Sequence, residues 1–98
     1  MIRNIVLFRL DEGLTRESSE VIKGIELIEQ LPREIPEILE WEIGWHALPS
    51  TPVSHDFVLT SLFADSEAFF RYFHHPAHRT TIAHWKKHAS WAVIDVEV

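Results

Sequence analysis

The sequence predicts an α+β fold in which a four-stranded antiparallel sheet carries helices on one face. Three observations predict it. Short β-branched and aromatic runs alternate along the chain with stretches of helical period. Their order is strand, helix, strand, strand, helix pair, strand. And the first strand is apolar at the centre of both its faces, so the sheet needs cover on the side away from the helices as well.

The elements follow in order. Ile2 to Leu10 reads as a strand, closed by the turn signal Asp11-Glu12-Gly13. Ile2, Asn4, Val6 and Phe8 share one face; Arg3, Ile5, Leu7 and Arg9 share the other. Thr15 is placed to cap a helix running to about Gln30, with Val21, Ile22, Ile25 and Ile28 as its apolar stripe and Glu17, Glu20, Glu26 and Glu29 on much of the remainder. Gly24 weakens that helix by about 1 kcal/mol relative to Ala. Leu31-Pro32 and Ile35-Pro36 end it, because a residue before proline avoids helical backbone angles. Ile38 to His46 alternates as a second strand, with Leu39, Trp41, Ile43 and Trp45 on one side. A loop containing Pro49 and Pro52 leads to a third strand, Asp56 to Phe63. Asp65 or Ser66 caps a short helix to Phe73, His75-Pro76 interrupts it, and Pro76 opens a further helix to about Ala89. Trp91 to Val98 is the last strand. Two βαβ-like halves in this order give the ferredoxin-like plan. Its 98 residues form a single domain, 1–98, with no linker and no low-complexity stretch.

Composition narrows the partners. Four Trp and six Phe in a chain that is 46% hydrophobic supply more large apolar surface than a small monomer hides easily, so an interface with a second copy is expected. The net charge of −6, with nine basic residues against fifteen acidic ones, speaks against nucleic acid and against an anionic membrane surface. With no cysteine there is no disulfide framework, thiolate metal site or thiol nucleophile. Asn4 and Arg9 break the opening apolar run, which is neither a secretory signal nor a membrane span, and the expected location is the cytoplasm.

Four segments, in order, are similar to one known family. They are Ile2-Arg3-Asn4-Ile5-Val6-Leu7-Phe8-Arg9-Leu10, Leu31-Pro32 to Pro36 followed by Glu42-Ile43-Gly44, Tyr72-Phe73-His74-His75-Pro76-Ala77-His78, and Val93-Ile94-Asp95-Val96. Together they resemble the stress-responsive dimeric A/B barrel (Dabb) domain. The resemblance implies a ferredoxin-like fold that pairs two sheets into a dimeric α/β barrel. It implies little about activity, since most members are known as folds. One plant branch is a polyketide cyclase that closes a ring by intramolecular aldol condensation without a cofactor, using a His of its Tyr…His-Pro-Ala-His motif as base, a nearby Tyr and a first-strand His. Tyr72 and His78 match that motif position by position, whereas Asn4 stands where the first-strand His would be. An amide hydrogen-bonds but does not exchange a proton near neutral pH.

The candidate site is therefore a pocket between helices and sheet, lined by Asn4, Val6, Phe8, Tyr72 and His78. His75 is either a further ligand contact or a makeshift cap for the helix that Pro76 opens. Backbone N–H groups and the helix dipole disfavour a protonated His78, leaving it able to take a proton. The expected ligand is small, and apolar or carbonyl-containing, and no cofactor is expected. The rival reading is a non-catalytic, stress-associated dimer or protein-interaction module, and an open or filled interior beneath Tyr72 and His78 separates the two. His84 and His88, four apart on one helix, have metal-ligand spacing but are too few for a zinc site, so no metal is expected. Trp41 and Trp45 read as core or interface, and Glu40 and Glu42 as a rim pair. Three glycines leave no room for a phosphate-binding glycine loop.

Overall fold

The computed structural model describes residues 1–98. Its elements are β1 (Ile2–Leu10), α1 (Ser19–Glu34), β2 (Glu40–Trp45), β3 (Phe57–Phe63), α2 (Ser66–Phe73), α3 (Pro76–Trp85) and β4 (Ala89–Glu97). The four strands form one sheet in the order β2-β3-β1-β4, with every neighbouring pair antiparallel. This is the ferredoxin-like arrangement that the element order predicts.

Three boundaries differ by more than two residues from the sequence reading, each for a local reason. Thr15 does not cap α1. Its Oγ1 accepts from the Glu17 N–H, and its own N–H donates to Ser18 Oγ at 2.9 Å. The chain spends one turn there, so the helix begins at Ser19. At the other end α1 runs through Pro32. The missing N–H leaves one carbonyl without its helical donor. The turn still closes through Ile35 N–H to the Leu31 carbonyl at 2.9 Å, held by the burial of both side chains. The helix opened by Pro76 stops at Trp85, where Lys87 and His88 donate three residues back to His84 and Trp85 in a tightened turn. Ala89 then joins β4 opposite Leu10.

The helices cover the face carrying Asn4, Val6 and Phe8. Two clusters of buried side chains lie there. One joins Phe8, Val21, Ile28, Phe57, Leu59, Trp85 and Ala89; the other joins Leu31, Ile35, Phe63, Ala68 and Tyr72. Trp85 centres the first. Its ring lies 5.3 Å from Phe8 and 5.4 Å from Phe57, which are themselves stacked at 4.4 Å, and its Nε1–H donates to the Gly24 carbonyl at 3.1 Å. A Cβ on Gly24 would run into the six-membered part of that ring. Glycine at position 24 is thus the condition for α1 to approach α3 this closely.

On the other sheet face β1 turns Ile5 and Leu7 outward, and β4 turns Ala92, Ile94 and Val96 into register beside them. Leu7 and Ile94 are exposed, so this apolar surface has no cover within the chain. Arg3 on β1 pairs with Glu40 on β2 at 3.2 Å along its margin. No helix is long and apolar enough to cross a membrane.

Gly24→Ala should reverse the usual gain of about 1 kcal/mol that Ala brings to a helix. The Trp85 ring is fully buried and cannot step aside, so the expected result is a loss of about 1–3 kcal/mol, read as a lower urea midpoint with unchanged slope.

Candidate functional site

The middle of the inner sheet face is polar. Trp41, Ser61, Asn4 and Asp95 stand in register across β2, β3, β1 and β4. Asn4 Nδ2 donates to Asp95 Oδ1 at 2.6 Å. The Ser61 hydroxyl and the Trp41 indole N–H are buried without a protein partner. A space of about 330 Å³ lies over the β1–β4 half of this face, where Asn4 and Asp95 line it, while Ser61 and Trp41 stay outside it.

Thirteen of the seventeen residues around that cavity are apolar, so a ligand there meets a mostly dry wall with few polar contacts. The floor is Asn4, Val6 and Phe8 of β1 with Leu59 of β3; the roof is Ile28 and Leu31 of α1 with Tyr72, His78 and Trp85. The exposed side chains Phe70 and Phe73 of α2 and Val93 of β4 also border it, which places its mouth between the second helix and the edge strand.

Tyr72 and His78 meet through the break between α2 and α3. Asp65 begins α2 by accepting from the Ala68 N–H at 2.8 Å. One turn later Ala68 and Tyr72 are both turned to the core. His75 Nδ1 accepts from the Ala77 N–H at 3.1 Å and so caps α3, with Pro76 in its first turn. His75 does not line the cavity: its ring is committed to the corner, and the expectation of a ligand contact gives way to that of a cap. The corner directs His78 back under Tyr72, with ring centroids 4.4 Å apart.

The protonation of His78 follows from its partner. Its Nδ1 lies 2.9 Å from the Phe73 carbonyl, which can only accept, so Nδ1 carries the hydrogen. In the neutral ring Nε2 then holds a lone pair, and it makes no hydrogen bond within the protein. Burial lowers the pKa of the imidazole; the Phe73 carbonyl opposes this and the neighbouring His74 and His75 add to it. Tyr72 is pushed the other way. Burial, and then the Asp95 carboxylate, raise the phenol well above its ordinary 10.0, so it remains a donor.

Three groups weighed on sequence fall outside the cavity. His84 Nε2 lies 2.7 Å from the Glu20 carbonyl and ties α3 to α1. His84 and His88 are neighbours, with centroids at 4.8 Å, yet no group of three or more His, Cys, Asp or Glu comes together to hold a metal ion. Trp41 packs edge-on to Tyr72 at 6.0 Å, and Trp45 lies against Phe57 beneath the Arg16 guanidinium. Glu40 is at the sheet margin. The residue that sequence reasoning missed is Asp95. Its signal was present, since Trp91, Val93 and Asp95 alternate onto the inner face and β1–β4 pairing sets Asp95 beside Asn4.

The profile of the stress responsive A/B barrel domain (Dabb) family matches residues 2–98. The chain belongs to that family. An uncharacterized protein of Streptomyces coelicolor is 36% identical over 97 residues, covering 99% of each chain. A dimeric ferredoxin-like protein of unknown function from Thermobifida fusca superposes with a TM-score of 0.84 at 26% identity, covering 99% of this chain and 90% of the other. A hydroxynitrile lyase from Passiflora edulis shares the fold with a TM-score of 0.86 at 19% identity, covering 99% of this chain and 92% of its own. This Dabb domain thus joins that scaffold to a candidate site whose polar side chains are Asn4, His78, Thr81 and Asp95, with the hydroxyl of the otherwise apolar Tyr72.

Both pKa displacements predict how stability depends on pH. For His78 the folded value lies below 6.5, so the stability gained by keeping the ring neutral is complete above that pH and is lost as pH falls through it towards the folded value. For Tyr72 the folded value lies above 10.0, so its contribution is complete below that pH and lost as pH rises past it. Tyr72 is the single tyrosine. The tyrosinate absorbance band should therefore stay absent through pH 10.0 and appear only with alkaline unfolding, and a tyrosinate signal at its ordinary position would contradict the burial.

Proposed function

We propose that this Dabb protein is a homodimer that binds a small, largely apolar, carbonyl-containing molecule and moves a proton beside the carbonyl with His78 as base. The observation that carries the reading is the hydrogen bond from His78 Nδ1 to the Phe73 carbonyl, which leaves Nε2 as a proton acceptor at a mostly apolar cavity. A space of about 330 Å³ suits a ligand better than the filled interior of a purely structural dimer.

The steps use only this chain's side chains. Nε2 of His78 takes a proton from the carbon next to the carbonyl, and the C–H electron pair moves to make the enolate. The Tyr72 hydroxyl donates a hydrogen bond to the enolate oxygen. Between pH 6.5 and 10.0 His78 is neutral and Tyr72 still protonated, so base and donor coexist. Where the ligand carries a second carbonyl, the enolate carbon attacks it. The alkoxide formed there takes the proton back from Nε2–H, and the chemistry is an aldol-type closure without a cofactor. Asn4, fixed by Asp95, offers its remaining amide hydrogen and its carbonyl oxygen to orient the ligand. It holds the substrate and moves no proton.

Dimerisation is supported by the uncovered apolar face of the sheet around Leu7 and Ile94 and by the dimeric relative from Thermobifida fusca. Ile94→Asp, on the edge strand of that face, should shift the native mass spectrum from dimer to monomer; a dimer of unchanged strength would place the interface elsewhere.

Proton transfer is tested by exchange of the α-hydrogens of phenylacetone in heavy water, followed by NMR. The protein should accelerate exchange, the rate rising with pH as His78 loses its proton. His78→Ala should cost about 10²–10⁴-fold with an unchanged circular dichroism spectrum. Equal acceleration by that variant sinks the assignment of the base.

A further inference from the structure

From Ala68 to Ile94 the chain contains no acidic residue, while Arg71, Arg79, Lys86 and Lys87 fall within it. The net charge of the whole chain is −6, so the rest of the molecule is strongly acidic and this stretch stands apart. Two of its cations meet in a second hollow, of about 350 Å³, on the outer side of α3. Arg79 and Lys86 flank it with His74, and its apolar base is Phe73, Ile82 and Ala83. The ion pairs of the chain engage Arg3 and Arg71, so Arg79 and Lys86 have no carboxylate partner.

This hollow adjoins the main cavity, and Phe73, His78 and Ile82 border both. A molecule whose apolar body fills the main cavity needs only to carry an end group past the exposed Phe73 to reach two unpaired cations with no carboxylate. The rest of this acidic protein repels an anion, and here the repulsion is locally reversed.

We infer that the hollow bounded by Arg79 and Lys86 is a second subsite that takes the anionic head of the same ligand, a carboxylate or a phosphate, so that the substrate class is an amphipathic anion. The inference rests on the cavity being a ligand site. It deepens that reading by adding charge to a ligand otherwise defined by its apolar body and carbonyl. A head group held there also sets negative charge beside His78 as the imidazole accepts a proton, which favours the transfer.

Two fluorescent probes of like shape separate the possibilities: neutral N-phenylnaphthylamine and its sulfonated counterpart, anilinonaphthalene sulfonate. The wild-type protein should bind both, the sulfonate more tightly at low salt and with a preference that shrinks as salt is added. The double variant Arg79→Gln, Lys86→Gln, altered only at exposed positions, should weaken the sulfonate by about tenfold and leave the neutral probe unchanged. A sulfonate preference that survives in the double variant, or no preference in the wild type, overturns the subsite while leaving the cavity reading intact. Failure to bind either probe removes the cavity reading and the subsite with it. Decanoate and decyl phosphate, as displacers of the neutral probe, distinguish the two head groups. Displacement by one of them that weakens in the double variant assigns that group, and displacement by neither overturns the inference.

Discussion

The structure depends on the contact of the Trp85 indole with the backbone of Gly24. It joins all the layers of the domain at one point: the ring covers Phe8 and Phe57 of the two central strands, and its N–H reaches the carbonyl of the first helix. A large apolar surface and a buried, satisfied donor are thus provided by one side chain. The distance between α1 and α3 is set by the absence of a Cβ, and this in turn sets the height of the space beneath them. His84 reinforces the same helix pair one residue away, through the Glu20 carbonyl.

With the helices held at that height, whether the interior fills is decided by the sheet. Where the inner face carries Phe57, Phe63 and Trp41, on β2 and β3, the core closes. Where it carries Asn4 and Asp95, on β1 and β4, it does not. The polar row is costly by itself, since Ser61 and Trp41 bury polar atoms without protein partners. A domain selected only for stability would carry apolar side chains there. The cost falls in the same cross-sheet row as Asn4 and Asp95, whose polar groups line the cavity with Tyr72 and His78, which is where a binding site is expected to depart from the best packing.

Much of this architecture was legible in the residues. The period-two alternation of β1 assigned Asn4, Val6 and Phe8 to the helix side and Ile5 and Leu7 to the uncovered side, because strand geometry leaves no other choice. Tyr72 and His78 were legible through the Pro76 corner between them. What escaped was set by contacts distant in sequence. Thr15 has the chemistry of a helix cap but folds into a turn with Ser18. Pro32 has the chemistry of a helix stop but is overruled by burial of Leu31 and Ile35. His75 has the chemistry of a ligand contact as well as of a cap, and the Ala77 N–H that occupies its Nδ1 commits it to the cap. Asp95 required the pairing register of β4 with β1, which the pattern of a single strand does not contain. The role of Gly24 required the position of a tryptophan 61 residues further along.

The gathering of the cavity's polar groups over one half of the sheet has a consequence for how this scaffold changes over time. Core side chains such as Phe8, Leu59 and Trp85 also wall the cavity, but Asn4 and Asp95 belong to neither apolar cluster. Replacing Asn4 or Asp95 alters what the cavity can hold or do, while Phe57 and Phe63, outside the cavity, continue to hold the frame. A protein organised in this way can exchange its chemistry by single substitutions without passing through an unfolded ancestor. The neighbours of one such scaffold can then share its shape closely at low sequence identity.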